Sequence, residues 1–160
     1  EEGVDHDARG VETYPEIADS GVTIHTRATF RLSIPADNVG VLLRRRLDYA
    51  IADQRAVVSI ADGDVPLDRA TFVRAGVWYT AGSTSVTFAD APAELGRADE
   101  VTAISPHRWR DEELLLPRAL TEGRRSIRVR VDVVPQPGPG ANGWSVYRLW
   151  SYAYRLPPSP

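Results

Sequence analysis

Apolar and polar residues alternate along most of this chain, and the longest run is "VTIHTRATFRLSI" at residues 22–34. A strand turns successive side chains to opposite faces, so Val22, Ile24, Thr26, Ala28, Phe30, Leu32 and Ile34 share one side. Thr23, His25, Arg27, Thr29, Arg31 and Ser33 share the other, and the pattern predicts one long, half-buried strand. "VGVLLRRRLDY" repeats the pattern, with Val41, Leu43, Leu47 and Tyr49 inward and Leu42, Arg44, Arg46 and Asp48 outward. Arg45 falls on the inward face and needs a buried partner, for which Asp111 is a candidate.

Shorter strands are expected in "RAVVSIA", "TFVRAGVWYT" and "STSVTFA", divided by the turn-forming "DGDVP" and "AGS". "ELLLP" reads as a short buried strand. "SIRVRVDVV" puts Ile127, Val129, Val131 and Val133 inward, and "WSVYRLWSYAY" gives a final aromatic strand after the "PQPGPGANG" loop. Helical turns are expected only in "PAELGRADEV" and "PRALTEG", neither of which sustains an apolar helical repeat. Many turn-punctuated strands without alternating helices predict an all-β antiparallel sandwich, with a jelly roll as its arrangement. Residues 1–20 read as an incoming linker or edge strand, 21–155 as one β-sandwich domain and 156–160 as a flexible tail.

At 160 residues one domain with a real core is expected. The net charge of -3 argues against a nucleic-acid partner, since the basic balance that neutralises phosphates is missing. Cysteine is absent, which removes disulfides, thiolate catalysis and cysteine zinc sites but does not fix the compartment. No apolar run approaches the roughly 18 residues of a membrane-spanning helix. The acidic start "EEGVDHDARG" does not read as a signal sequence, so a soluble or already processed chain is expected. Every basic residue is arginine, a bias that carries no functional weight.

Enzyme signatures are missing: there is no phosphate-binding glycine loop, no His-Glu-x-x-His, no Gly-x-Ser-x-Gly and no dinucleotide fingerprint. Asp5, His6 and Asp7 are three adjacent residues, an arrangement that seldom converges on one metal, and His25 and His107 stand alone. The dense acidic group Asp111, Glu112 and Glu113 lies beside Trp109. In a strand only Asp111 and Glu113 share a face, so they are the weak candidates for a glycosidase acid pair, against the plainer role of compensating nearby arginines. The aromatic residues are more suggestive, because flat rings with polar edges stack on sugars. Carbohydrate contact is therefore assigned to Trp78, Tyr79, Trp109, Arg110 and Trp144, with Trp78 and Trp109 expected at the surface and "HRWRDEE" expected as a loop. Aromatic residues on sandwich strands are more often core, and interleaved arginines are more often solvated strand faces.

"GVLLRRRLDYAIADQRAVVSIADG", "AGVWYTAGS", "HRWRDEELLLPRALTEGRRSIRVRV" and "WSVYRLWSYAY" together resemble the C-terminal β-sandwich region of bacterial proteins related to glycoside hydrolase family 172. The resemblance spans roughly Gly40 to Tyr154. Enzymes of that family cleave fructofuranosides or D-arabinofuranosides and are built from jelly rolls that associate into oligomers. Their acidic Thr-Glu-Asp-Tyr type loop has no counterpart here, so no catalytic residue carries over. The resemblance implies a noncatalytic accessory sandwich, secreted or at the cell surface, that binds or supports the processing of a furanose-containing polysaccharide. A structural or oligomerisation module and a small glycoside hydrolase are the alternatives. Expected partners are carbohydrate, a second copy of the chain or a catalytic domain. Jelly rolls of this kind can hold a structural calcium, whose ligands the sequence does not display, and no other cofactor is expected.

Overall fold

The computed structural model describes residues 2–6, 12–48, 51, 54–80, 107–135 and 143–157. Among these residues there are eleven strands and two single 3-10 turns, at Leu67–Arg69 and Arg118–Leu120. In chain order the strands are β1 (Glu2–His6), β2 (Glu12–Ala18), β3 (Val22–Ile24), β4 (Arg27–Ser33), β5 (Gly40–Asp48) and β6 (Gln54–Asp62). They continue as β7 (Val73–Thr80), β8 (His107–Leu116), β9 (Ser126–Val133), β10 (Trp144–Val146) and β11 (Arg148–Tyr154). Among the described residues no helix is long and apolar enough to cross a membrane.

The strands form a five-stranded sheet in the order β11-β5-β8-β1-β2, a four-stranded sheet in the order β4-β9-β6-β7, and a β10-β3 ribbon. Pairing is antiparallel throughout except between β1 and β8, which run parallel. One apolar core joins the two large sheets, with Val41, Leu43 and Leu116 from the first meeting Val58, Ile60, Trp78, Ile127, Val129 and Val131 from the second. Trp144 of the ribbon enters the same core. This is the expected all-β class in a sandwich-like arrangement.

Several expectations are corrected. The run at 22–34 is two strands in different sheets, broken at His25 and Thr26, because β3 turns away to pair with β10 while β4 pairs with β9. Likewise the final aromatic run divides at Tyr147 into β10 and β11. "HRWRDEE" is the first part of β8 rather than a loop. Leu115 of "ELLLP" is 62% exposed, since the parity that buries Leu116 turns its neighbour outward. The "PRALTEG" turn forms as the 3-10 turn at Arg118–Leu120. Tyr49, "STSVTFA" and "PAELGRADEV" lie wholly or largely outside the described residues.

Turns are fixed by local chemistry. The buried Asn38 side chain donates to the Pro35 carbonyl at 2.7 Å and to the Thr121 carbonyl at 2.9 Å, tying the β4–β5 connection to the turn after β8. At Gly63 the backbone runs so close to β9 that an added Cβ would lie 2.0 Å from Ser126 Oγ and 2.7 Å from the Ser126 carbonyl carbon.

Candidate functional site

The sequence places Arg45 inward, and the structure buries it completely at the heart of a polar cluster. Nη1 donates to Gln54 Oε1 at 3.0 Å and to the Ser145 carbonyl at 2.8 Å, and Nη2 donates to Thr80 Oγ1 at 2.9 Å. The guanidinium carbon lies 3.9 Å from the ring centroid of Trp144 and 5.4 Å from that of Trp78. Trp78 and Trp144 meet edge to face with centroids 5.4 Å apart. A desolvated cation over indole faces is favourably placed, and its two terminal nitrogens donate to neutral acceptors, while Nε has no hydrogen-bond partner among the described residues. Burial pushes the guanidinium down to about 9, with the Glu112 charge pulling the other way, and leaves it charged at neutral pH.

The carboxylate nearest Arg45 is Glu112, at 4.0 Å. Asp111 is not the partner. The β5–β8 register sets Arg45 against Glu112, Arg46 against Asp111 and Arg44 against Glu113. Asp111 accepts from Arg46 Nε at 2.9 Å on the outer side of the sheet, where Glu113 accepts from Arg44 Nε at 2.8 Å. Both weak catalytic candidates are thus held by cross-strand arginines. Inward, Glu112 accepts a hydrogen bond from the Thr80 hydroxyl and lies 3.6 Å from Arg110 Nε.

Glu112 links this cluster to an open cleft of about 440 Å³ between β7, the edge of the four-stranded sheet, and β8. Val77, Trp78, Tyr79, Arg110, Asp111, Glu112, Glu113 and Leu114 line it. The volume is that of a small-ligand site. Tyr79 is 50% exposed and Arg110 is exposed beside it, so two of the five residues assigned to carbohydrate stand where a ligand could touch them. The three tryptophans do not. Trp78, Trp109 and Trp144 are 2%, 1% and 0% exposed: Trp78 and Trp144 belong to the apolar core between the sheets, while Trp109 is buried on the β8 face that also carries Asp111 and Glu113. Trp109 packs on Tyr147 with centroids 4.2 Å apart. Trp78 still lines the cleft, and its indole N–H has no hydrogen-bond partner among the described residues.

Other expected positions lie apart from this site. His25 is exposed at the bend between β3 and β4. Asp5 and His6 belong to β1, while Asp7 lies outside the described residues. Among the described residues no group of three or more His, Cys, Asp or Glu side chains converges as a metal site. Glu112 and Thr80 are site residues that the sequence reading missed. Strand parity could have marked Glu112 as inward, but only the pairing of β8 with β5 and the approach of β7 bring the two together.

No family model matches the chain, and no curated protein matches it. Among solved structures the chain is similar to a family GH115 4-O-methyl-alpha-glucuronidase, BtGH115A, described as specific for decorated arabinogalactans. The identity is 13% and the TM-score 0.38, over 86% of this chain and 14% of that one. A likeness at that level carries no argument about activity.

Proposed function

We propose that the chain is a noncatalytic β-sandwich that binds carbohydrate at the β7–β8 cleft, as an accessory to the processing of a furanose-containing polysaccharide. The observation that carries this reading is the grouping of the half-exposed Tyr79 ring, the exposed Arg110 guanidinium and the inward Glu112 carboxylate around one open cleft. A sugar presents an apolar ring face to Tyr79 and hydroxyls that both donate and accept, which suits the Glu112 carboxylate acceptor beside the Arg110 donor. The resemblance to accessory sandwiches related to glycoside hydrolase family 172 agrees with this role. The ion-paired states of Asp111 and Glu113 favour binding over acid–base chemistry.

Affinity electrophoresis in arabinan and fructan gels tests the reading. The wild-type chain is expected to be retarded, and Tyr79→Ala and Arg110→Ala each to lose at least about tenfold in affinity, the loss of one stacking or charged contact. Unchanged retardation in both variants with an intact fold would remove the cleft from consideration. Release of reducing sugar by the wild type would instead favour a glycosidase.

A further inference from the structure

The edges of the two large sheets are not equivalent. A sheet edge exposes unpaired backbone donors and acceptors, and β-proteins blunt their edges with proline, charge, bulges or short strands. Four strands form these edges: β2 and β11 in the five-stranded sheet, β4 and β7 in the four-stranded sheet. In β2, Pro15 sits mid-strand between Glu12 and Glu16. In β4, Arg27 and Arg31 stand exposed at alternating positions. In β7, the register against β6 shifts between Val58 and Ser59, and the exposed Arg74 together with the half-buried Gly76 interrupts its apolar pattern. β11 has no such device. Its seven residues pair with β5 in unbroken register and contain no proline, no glycine and no charge after Arg148. Among the described residues it has no strand on its other side.

We propose that this edge joins two copies of the chain: β11 pairs antiparallel with β11 of a second copy about a two-fold axis at Ser151, merging the five-stranded sheets. The strand's own sequence favours a second copy over a foreign segment, because an isologous interface must be self-complementary. With Ser151 on the axis all seven residues pair. On the outer face Trp150 stands opposite the partner's Tyr152, an aromatic cross-strand pair, and Arg148 stands opposite the partner's Tyr154. On the core face Leu149 meets the partner's Ala153, extending the apolar interior across the seam. Tyr152 and Tyr154, 42% and 49% exposed in the single chain, lie along that seam.

Because Ser151 is exposed and faces its own copy, charge there tests the axis directly. Sedimentation of the wild-type chain at micromolar concentration is expected to show a dimer. Ser151→Lys and Ser151→Glu should each weaken it at least about tenfold, since like charges directly opposite are unfavourable. Mixing the two variants should restore a dimer of one copy of each. In this cysteine-free chain Ser151→Cys should oxidise to a covalent dimer, because facing strand residues lie within the Cα separation a disulfide spans. Leu67→Cys, exposed on the β6–β7 connection, should not. A wild-type chain that stays monomeric, a dimer indifferent to Ser151→Lys, or a mixture that fails to reassociate would overturn the proposal. None of these results depends on sugar binding at the β7–β8 cleft.

Discussion

Gln54 shows what a single buried amide does when a guanidinium needs neutral acceptors. Its carbonyl oxygen accepts from Arg45, from the Ser145 backbone N–H at 2.9 Å and from the Ser145 hydroxyl at 3.0 Å. Its amide nitrogen donates to the Asp48 and Ile51 carbonyls at 2.7 and 3.0 Å. One side chain therefore satisfies groups from β5, the β5–β6 connection and β10, and it also keeps a buried cation solvated by protein. Replacing it with leucine preserves bulk but strands a charge and several backbone groups in a dry interior. Gln54→Leu is expected to lower unfolding free energy by about 3 kcal/mol or more. The neighbouring exposed change Arg55→Ala should stay within about 0.5 kcal/mol. Urea unfolding of the two variants separates these outcomes, and equal midpoints would mean that the cluster is not stabilising.

At the scale of elements, the close approach of the β6–β7 turn to β9 fixes where the four-stranded sheet ends. Gly63 donates its N–H to the Ser126 carbonyl at 3.1 Å, and no side chain fits between the two backbones. Gly63→Ala should cost about 1–3 kcal/mol by forcing them apart, whereas alanine at an open turn would be tolerated. Thermal unfolding of the variant checks this, and an unchanged midpoint would show that the turn yields freely. Local alternation was enough to read the strands themselves, because a half-buried strand writes its period into the sequence. Alternation does not reveal where a strand leaves one sheet for another. Ile24 and Ala28 keep the same parity on either side of the His25 bend, and the division at Tyr147 is equally silent. Register was hidden for a similar reason. Arg45 is visibly inward, but whether it meets Asp111 or Glu112 depends on how β5 aligns with a strand more than 60 residues later. The tryptophans were misplaced because polar neighbours in sequence are the other face of the strand, and say nothing about what covers the ring.

Across the whole molecule, the strand orders leave few partners close together in the chain. β6 and β7 are neighbours in sequence, but β4 pairs with β9, Arg27 opposite Asp132, and β5 pairs with β11, Arg46 opposite Arg148. Contacts of such separation are made only after a large loss of chain freedom, and proteins dominated by them fold in about milliseconds to seconds. Stopped-flow refolding followed by tryptophan fluorescence should place the main phase in that range, and a microsecond phase carrying the full amplitude would contradict it. The same topology bears on synthesis. A ribosome has released β4 and β5 well before it has made β8, β9 and β11, so the early strands wait with their hydrogen-bonding edges open. During that interval they can pair with other nascent chains as readily as with their own later strands. Yield in a cell is then set by how quickly β8, β9 and β11 are translated after the early strands.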